Sequence, residues 1–285
     1  MIRSLLYVPG NSDKFIAKAH ERNADAIILD LEDSVPPTEK AGARKRLAQS
    51  VASVGQNGAT VFVRVNAAET GLQKDDAAAA CLAGAYGILV PKASRPDILQ
   101  ALDSHLSSVE QRMARTDQLR LVPLIEDPGS VLNASAIAAA TARNWGLITG
   151  GEDLAASMNA SPTPEMLRLP KLLVHLAAKA AGLHSFGLLR SIADFKDANA
   201  VMAAALEARQ HGFDGATCVH PSVVPLLNRG FSPTHAEFEW AREVVAAYAN
   251  AEQAALGAIM VQGRMVDLPI VERARRILQA APDTT

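Results

Sequence analysis

Cysteine is nearly absent from this 285-residue chain: Cys81 and Cys218 stand far apart, outside any Cys-x-x-Cys or Cys/His spacing. That argues against a disulfide framework and a thiolate metal site, and leaves two buried, inert thiols as the expectation. No long basic run and no basic-aromatic stripe occur, and the formal net charge is -2, so neither nucleic acid nor an anionic membrane is an expected partner. Long hydrophobic runs are missing too. The N-terminal apolar run Leu5-Leu6-Tyr7-Val8 stops at Pro9-Gly10, too short for a signal peptide or a spanning helix, and a cytoplasmic location is expected. There is no Gly-x-Gly-x-x-Gly after a strand and no Gly-x-x-x-x-Gly-Lys-Ser/Thr, so nucleotide-binding readings lose their usual support.

What is there is apolar and periodic. Hydrophobic residues make up 49% of the chain, enough for a full core in one large domain or two medium ones. Short apolar runs rich in β-branched residues fall at Ser4–Val8, Ala26–Leu31, Thr60–Val65, Gly87–Val90, Arg120–Ile125, Trp145–Thr149, Ser185–Leu188 and Gly215–Val219. Between them lie stretches of helical period: Asp13–Arg22, Lys40–Ser50, Pro96–Ser107, Val131–Ala142, Glu165–Ala181 and Phe195–His211. Eight buried parallel strands with crossover helices predict an α/β fold of the (β/α)8 TIM barrel type, with a doubly wound open sheet as the alternative. The barrel is expected over residues 1–230. Residues 231–285 form a C-terminal helical appendage: helices near Thr234–Gly257 and Pro269–Ala280, and a short Gly-containing element at Ala258–Val266, with no strand to serve.

In such a barrel, function sits on the loops after the carboxyl ends of the strands. The polar residues fall there: Asp30, Glu32 and Asp33 after the second strand, Arg64 on the third, Lys92 after the fourth, Glu126 and Asp127 after the fifth, Gly150-Gly151-Glu152-Asp153 after the sixth, and His220 after the eighth. Crowded carboxylates raise one another's pKa or recruit a cation, and oxygen ligands without Cys or paired His select a hard ion such as Mg2+. Structural alternatives stand beside these readings. Asp33 could cap a helix, Asp30 and Glu32 could bridge to Arg64 or Lys92, Asp153 could be an N-cap, His220 a turn residue, and His175 a core or surface histidine.

The chain resembles the HpcH/HpaI aldolase and citrate lyase β-subunit family, especially its acyl-CoA lyase members. The resemblance rests on Arg3-Ser-Leu-Leu-Tyr-Val-Pro-Gly10, Ile28-Leu-Asp-Leu-Glu-Asp-Ser-Val35, Val63-Arg-Val-Asn66, Gly84-Ala-Tyr-Gly-Ile-Leu-Val-Pro-Lys92 and Pro123-Leu-Ile-Glu-Asp127. It continues through Gly150-Gly-Glu-Asp-Leu-Ala155, Gly212-Phe-Asp-Gly215, Val219-His-Pro221, Asn228 to Phe231-Ser-Pro233, and Gly263-Arg-Met-Val-Asp267. The resemblance implies a TIM barrel assembled as trimers or hexamers, with Glu126 and Asp153 as Mg2+ ligands and Arg64 as the clamp for a substrate carboxylate. It also implies that Asp267 acts catalytically in the site of a neighbouring subunit; the structural alternative is that Asp267 caps the final helix. Glu32, Asp33, Lys92 and Gly151 complete the expected substrate contacts.

The implied reaction is Mg2+-dependent cleavage of a 3-hydroxyacyl-CoA, of the citramalyl-CoA, citryl-CoA or malyl-CoA type, to acetyl-CoA and a 2-oxo acid. Asp267 would take the hydroxyl proton, and donors not identifiable in the sequence would stabilise the enolate. Two rivals remain: an aldolase acting on free hydroxy-oxo acids, and a non-catalytic thioester-binding accessory subunit. The chain departs from the family at Asp127-Pro128, where Glu-Thr is common after the fifth strand, which is expected to add a charge near the metal. It departs again at Ser185-Phe186-Gly187 and Gly215-Ala216, which puts the acyl preference in doubt.

Overall fold

The computed structural model describes residues 1–253 and 258–279. Its main sheet contains β1 (Ser4–Pro9), β2 (Ala26–Asp30), β3 (Thr60–Arg64), β4 (Gly87–Val90), β5 (Arg120–Ile125), β6 (Gly146–Thr149), β7 (His184–Phe186) and β8 (Ala216–Cys218). The strands run parallel in the order β7-β6-β5-β4-β3-β2-β1-β8, and a parallel bridge between Phe186 and Gly215 joins the two ends. This is a (β/α)8 TIM barrel. An open doubly wound sheet would leave β7 and β8 as free edges.

The barrel interior follows from the two-residue period of the strands. Leu5, Ala26, Ile28, Phe62, Leu89, Val122, Leu124, Ile148 and Phe186 form one buried cluster, and in register Ile28 faces Phe62, Leu89 faces Val122 and Leu124 faces Ile148. Burying a side chain of this size contributes roughly 1.5–3 kcal/mol. The core fills the barrel up to its carboxyl end, where the inward positions become polar.

Several helices differ from the periodicity reading. The segment expected over Val131–Ala142 is two short helices, Pro128–Leu132 and Ala134–Ala138. The first starts early because Asp127 caps it: Asp127 Oδ1 accepts from the Ser130 amide at 2.9 Å, the Ser130 hydroxyl side returns the contact, and Pro128 occupies the first turn. The Lys40–Ser50 stretch divides into helices Lys40–Lys45 and Leu47–Val54. The periodicity reading does not include the helices at Gln73–Leu82, Gly151–Ser157 and Val224–Phe231; the first is nearly without an apolar face, the second is seven residues long, and the third is amphipathic but only eight residues long.

The chain separates into two compact units, Ile2–Arg229 and one comprising Met1 and Gly230–Thr285. In the second, helix His235–Gln253, helix Leu268–Gln279 and an antiparallel hairpin of β9 (Ile259–Val261) and β10 (Arg264–Val266) share a core of Ala241, Val244, Tyr248, Val261, Val266, Val271 and Ala274. The hairpin corrects the expectation of a strand-free appendage. Gln262 and Gly263 both take positive φ, 50° and 74°, the pair a tight two-residue hairpin turn requires. Among the described residues no helix is long and apolar enough to cross a membrane.

Candidate active site

Three inward series of the barrel, those of β2, β3 and β5, end in charged side chains. Asp30 lies two residues after Ile28, Arg64 two after Phe62, and Glu126 two after Leu124, so the strand alternation that buries the core residues aims these groups into the mouth. A cavity of 480 Å³ opens there, lined by Asp30, Asp33, Arg64, Glu126 and, from the segment after β6, Gly150 to Asp153. Lys171, Ser191 and Tyr7 also line it.

Arg64 is held from three sides. Its Nε and Nη2 donate to the two oxygens of Asp30, both at 2.7 Å, its Nη1 lies 2.9 Å from Glu32 and 3.1 Å from Asp33, and its guanidinium sits 5.1 Å from the centre of the Tyr7 ring. The fork expected to be free for a ligand carboxylate is therefore occupied along one edge by Asp30. On the other edge, Nη1 with Nη2, Nη1 faces both the buried Glu32 and Asp33, whose side chain is 68% exposed and able to give way. The Arg64 guanidinium and amides at Glu32 and Ser34 hold the Asp30 carboxyl below its ordinary value against the opposing effect of burial.

Glu126 is buried and its environment is unfavourable to its charge. Burial, helped by the nearby charge of Asp153, pushes it up to about 7, although the Lys92 amide donates to Glu126 Oε2 at 2.7 Å and opposes the shift. The local backbone is shaped around it. A Cβ on Gly150 would lie 2.6 Å from Glu126 Cγ and 2.7 Å from Oε1, so only glycine lets the segment after β6 pass the carboxylate. Asp153 stands in the first turn of helix Gly151–Ser157, whose N-cap is Gly150, so Asp153 is not the cap of this helix.

Other expected contacts are placed differently. Lys92 reaches the site through its main chain, with φ of 50°; its side chain is exposed and outside the cavity lining. Glu32 is also outside the lining: it is a buried partner of Arg64, pushed up to about 8 by burial and by the charges of Asp33, Glu126 and Asp30. Its Oε2 lies close to Arg64 but has no well-directed donor. Asp127 spends its carboxylate on the cap of Pro128–Leu132 instead of adding charge to the cavity lining. His220 is a turn residue stacked on Phe195 at 4.8 Å, and His175 is a core histidine stacked on Phe213 at 4.3 Å. Both cysteines are buried, and burial raises the Cys218 thiol to about 12. Asp267 belongs to the second unit. Its carbonyl accepts from the Ile270 and Val271 amides, both at 3.1 Å, while its half-buried side chain makes no hydrogen bond among the described residues.

The sequence reading missed Lys171, Ser191 and Tyr7. Lys171 carried a signal: in helix Pro164–Ala180 it occupies the stripe of Leu167, Val174 and Ala178, where a lysine breaks an otherwise apolar face. It is 3% exposed, and burial lowers its pKa to about 8 against the attraction of Glu152.

Glu126 and Asp153 give a donor set of two carboxylates with no thiol or imidazole, which suits a hard cation such as Mg2+. Among the described residues no three His, Cys, Asp or Glu side chains form a metal-holding group, so water and a chelating ligand are needed to complete a coordination shell. The profile of the HpcH/HpaI aldolase/citrate lyase family matches residues 3–221. The chain belongs to that family. It is accordingly an enzyme of the carbon–carbon lyase class. It is 31% identical to the citrate lyase subunit beta of Leuconostoc mesenteroides subsp. cremoris over 98% of this chain and 93% of that protein. Identity is 34% to a (3S)-malyl-CoA thioesterase of Cereibacter sphaeroides, over 98% and 94% respectively. It is 29% to the mitochondrial citramalyl-CoA lyase of Homo sapiens, over 98% and 85%. Among solved structures, CitE of Mycobacterium tuberculosis in complex with magnesium, acetoacetate and coenzyme A is similar at a TM-score of 0.76 and 27% identity, covering 98% of this chain and 97% of that one.

Proposed function

We propose that this chain is a Mg2+-dependent lyase that splits a 3-hydroxyacyl-CoA, of the citramalyl-CoA, citryl-CoA or malyl-CoA type, into acetyl-CoA and a 2-oxo acid. The observation that carries the reading is the pairing of buried Glu126 with Asp153 on a cavity wall that raises Glu126 toward neutrality unless a cation arrives. The relatives named for citramalyl-CoA and malyl-CoA, and the coenzyme A held by the mycobacterial neighbour, support the thioester class.

Glu126 and Asp153 would hold the ion, which supplies Lewis-acid charge at the hydroxyl and carboxylate oxygens of the acid half of the substrate. Arg64 offers its Nη1/Nη2 edge to that carboxylate, with Asp30 and Tyr7 fixing the plane of the guanidinium. Gly151, at the start of its helix, lines the same cavity as these residues. A general base must take the hydroxyl proton as the carbon–carbon bond breaks. Asp267 fits that role if the second unit delivers it to a neighbouring subunit of a cytoplasmic homotrimer or hexamer, since its carboxylate is not spent on a helix cap. Mixing Asp267→Asn chains with Glu126→Gln chains under subunit exchange should then restore activity; proven hybrid oligomers that stay inactive would remove Asp267 from the shared site.

The test of the main reading is a panel of hydroxyacyl-CoA thioesters assayed for 2-oxo acid release with Mg2+ and with EDTA. Release only with Mg2+ is expected. Turnover that is indifferent to EDTA, or confined to free hydroxy-oxo acids, would overturn the reading. A second reading, hydrolysis of the thioester, is favoured by the 34% identity to a malyl-CoA thioesterase. Free CoA thiol released without a 2-oxo acid would identify it.

A further inference from the structure

We propose that Lys171 is a catalytic cation of the site, and that its ammonium holds the thioester oxygen of the acyl fragment. This deepens the lyase reading and rests on it. The first observation is an unspent buried charge. Lys171 is 3% exposed, yet among the described residues its Nζ meets one hydrogen-bond acceptor, the Arg190 carbonyl at 3.2 Å, and forms no ion pair. An ammonium carries three donors, and burying it without a counter-charge is costly, so the fold holds two N–H groups in reserve on a cavity wall. Glu152 is near enough to act on Lys171 electrostatically, but its carboxylate accepts from the Ser191 hydroxyl.

The second observation is where that cation stands. Around the ring β4 and β5 lie between β3 and β6, so Arg64 on β3 and Lys171 on the helix after β6 stand on opposite sides of Glu126 at the end of β5. Arg64 is matched by the Asp30 carboxylate, and the Lys92 side chain is outside the lining. Lys171 is thus the lining cation with no carboxylate in ion-pair contact among the described residues, Glu152 acting on it from farther away. Gly151 packs beside it: a Cβ there would lie in ordinary contact with Lys171 Cε, at 3.5 Å, and tight against Leu167 Cδ1, at 3.2 Å. In this proposal a ligand whose acid half lies at Arg64, Glu126 and Asp153 places its thioester half against Lys171 on the same cavity wall.

The chemistry requires a donor there. As the hydroxyl proton leaves to the base, the oxygen's electron pair becomes the carbonyl bond of the 2-oxo acid. The pair of the broken carbon–carbon bond moves into the acyl fragment, placing negative charge on the thioester oxygen as an enolate that is then protonated at carbon. A preorganised cation at that oxygen stabilises the charge only as it develops. Lys171 needs no proton transfer for this role.

The test uses full-length Lys171→Met, which keeps the length of the stem, and Lys171→Arg. For Lys171→Met the expected result is a fall in kcat on the order of 10²–10³-fold, with Mg2+-dependent binding of the 2-oxo acid unchanged by calorimetry. Solvent deuterium exchange into the methyl group of acetyl-CoA, measured with a bound 2-oxo acid, should fall in parallel, and the melting temperature should hold or rise because an unpaired buried charge has gone. Lys171→Arg should recover part of the exchange. Wild-type kcat and exchange in Lys171→Met would overturn the proposal, as would loss of 2-oxo acid binding together with a lowered melting temperature, which marks a structural lysine. A wild-type protein that neither releases 2-oxo acid nor exchanges with any thioester would overturn the lyase reading itself, and this inference with it.

Discussion

Two buried ion clusters lie at opposite ends of the same barrel and are built on opposite principles. Below the amino ends of β5 and β6, Arg143 uses all its guanidinium nitrogens: Nε on Asp103, Nη1 on Glu110 at 2.8 Å and the Leu119 carbonyl at 3.3 Å, Nη2 on Glu110 at 2.7 Å and Ser107 at 2.9 Å. The Thr141 hydroxyl donates to the second oxygen of Asp103, and the Leu119 amide donates to Glu110 Oε1, which it shares with Arg143 Nη1, at 2.7 Å each. Although burial opposes it, these partners hold Asp103 and Glu110 below their ordinary values. At the carboxyl end the signs reverse: Glu126 and Glu32 are pushed up and Lys171 is pushed down, each toward its neutral form. A saturated cluster needs nothing further and ties elements together. An unsaturated one leaves groups open to a ligand or a cation, at some cost to the unliganded fold.

That contrast can be broken by substitution. The largest effect is expected at the mouth: Glu126→Gln should lower Mg2+-dependent turnover on the order of 10³-fold, with the melting temperature of the metal-free protein held or raised. A large drop in that melting temperature would make Glu126 a structural group. Arg143→Met should act the other way, destabilising the fold by about 3–5 kcal/mol in urea unfolding because two carboxylates lose their counter-charge, while KM stays near wild type. Linkage gives this cluster a pH signature. Its stabilisation is present above the ordinary carboxylate range and is lost as pH falls through the depressed values of Asp103 and Glu110, so the variant should lose the wild type's acid sensitivity.

Gly150→Ala sharpens the comparison by displacing a carboxylate without removing it. With a Cβ 2.6 Å from Glu126 Cγ, Glu126 must shift, and Mg2+ affinity should fall about 10–100-fold by calorimetry. The smallest effect is a titration in the wild-type protein. Since Glu126 is raised to about 7, its carboxylate form is lost as pH falls through that value. Mg2+ affinity should therefore fall roughly 10-fold per pH unit below about 7 and level off above it, with close to one proton released per ion bound at low pH. A flat profile would mean that Glu126 is not a ligand.

The barrel was legible because its signals are local. Eight apolar runs mark the strands to within a residue or two, and the carboxyl-end rule places Asp30, Arg64, Glu126 and Asp153 near one mouth before any coordinate is known. Short helices such as Gly151–Ser157 were less legible, since seven residues give too little periodicity and the surrounding packing holds the helix. The β9–β10 hairpin hid in three-residue strands, and its signal was the turn at Gln262-Gly263.

Residue types and their alternation along the strands, by themselves, determined which side chains face the barrel axis and that an oxygen-rich rim would form there. Tertiary structure alone decided what each polar group is spent on. Asp127 becomes a helix cap, Lys92 contributes an amide instead of its ammonium, Asp30 takes one edge of Arg64, and Lys171 is left with a carbonyl as its hydrogen-bond partner. The reason is physical: a strand's period is a property of a few neighbouring bonds, whereas hydrogen-bond partners and burial depend on groups far apart in the chain that meet only when the ring of strands closes.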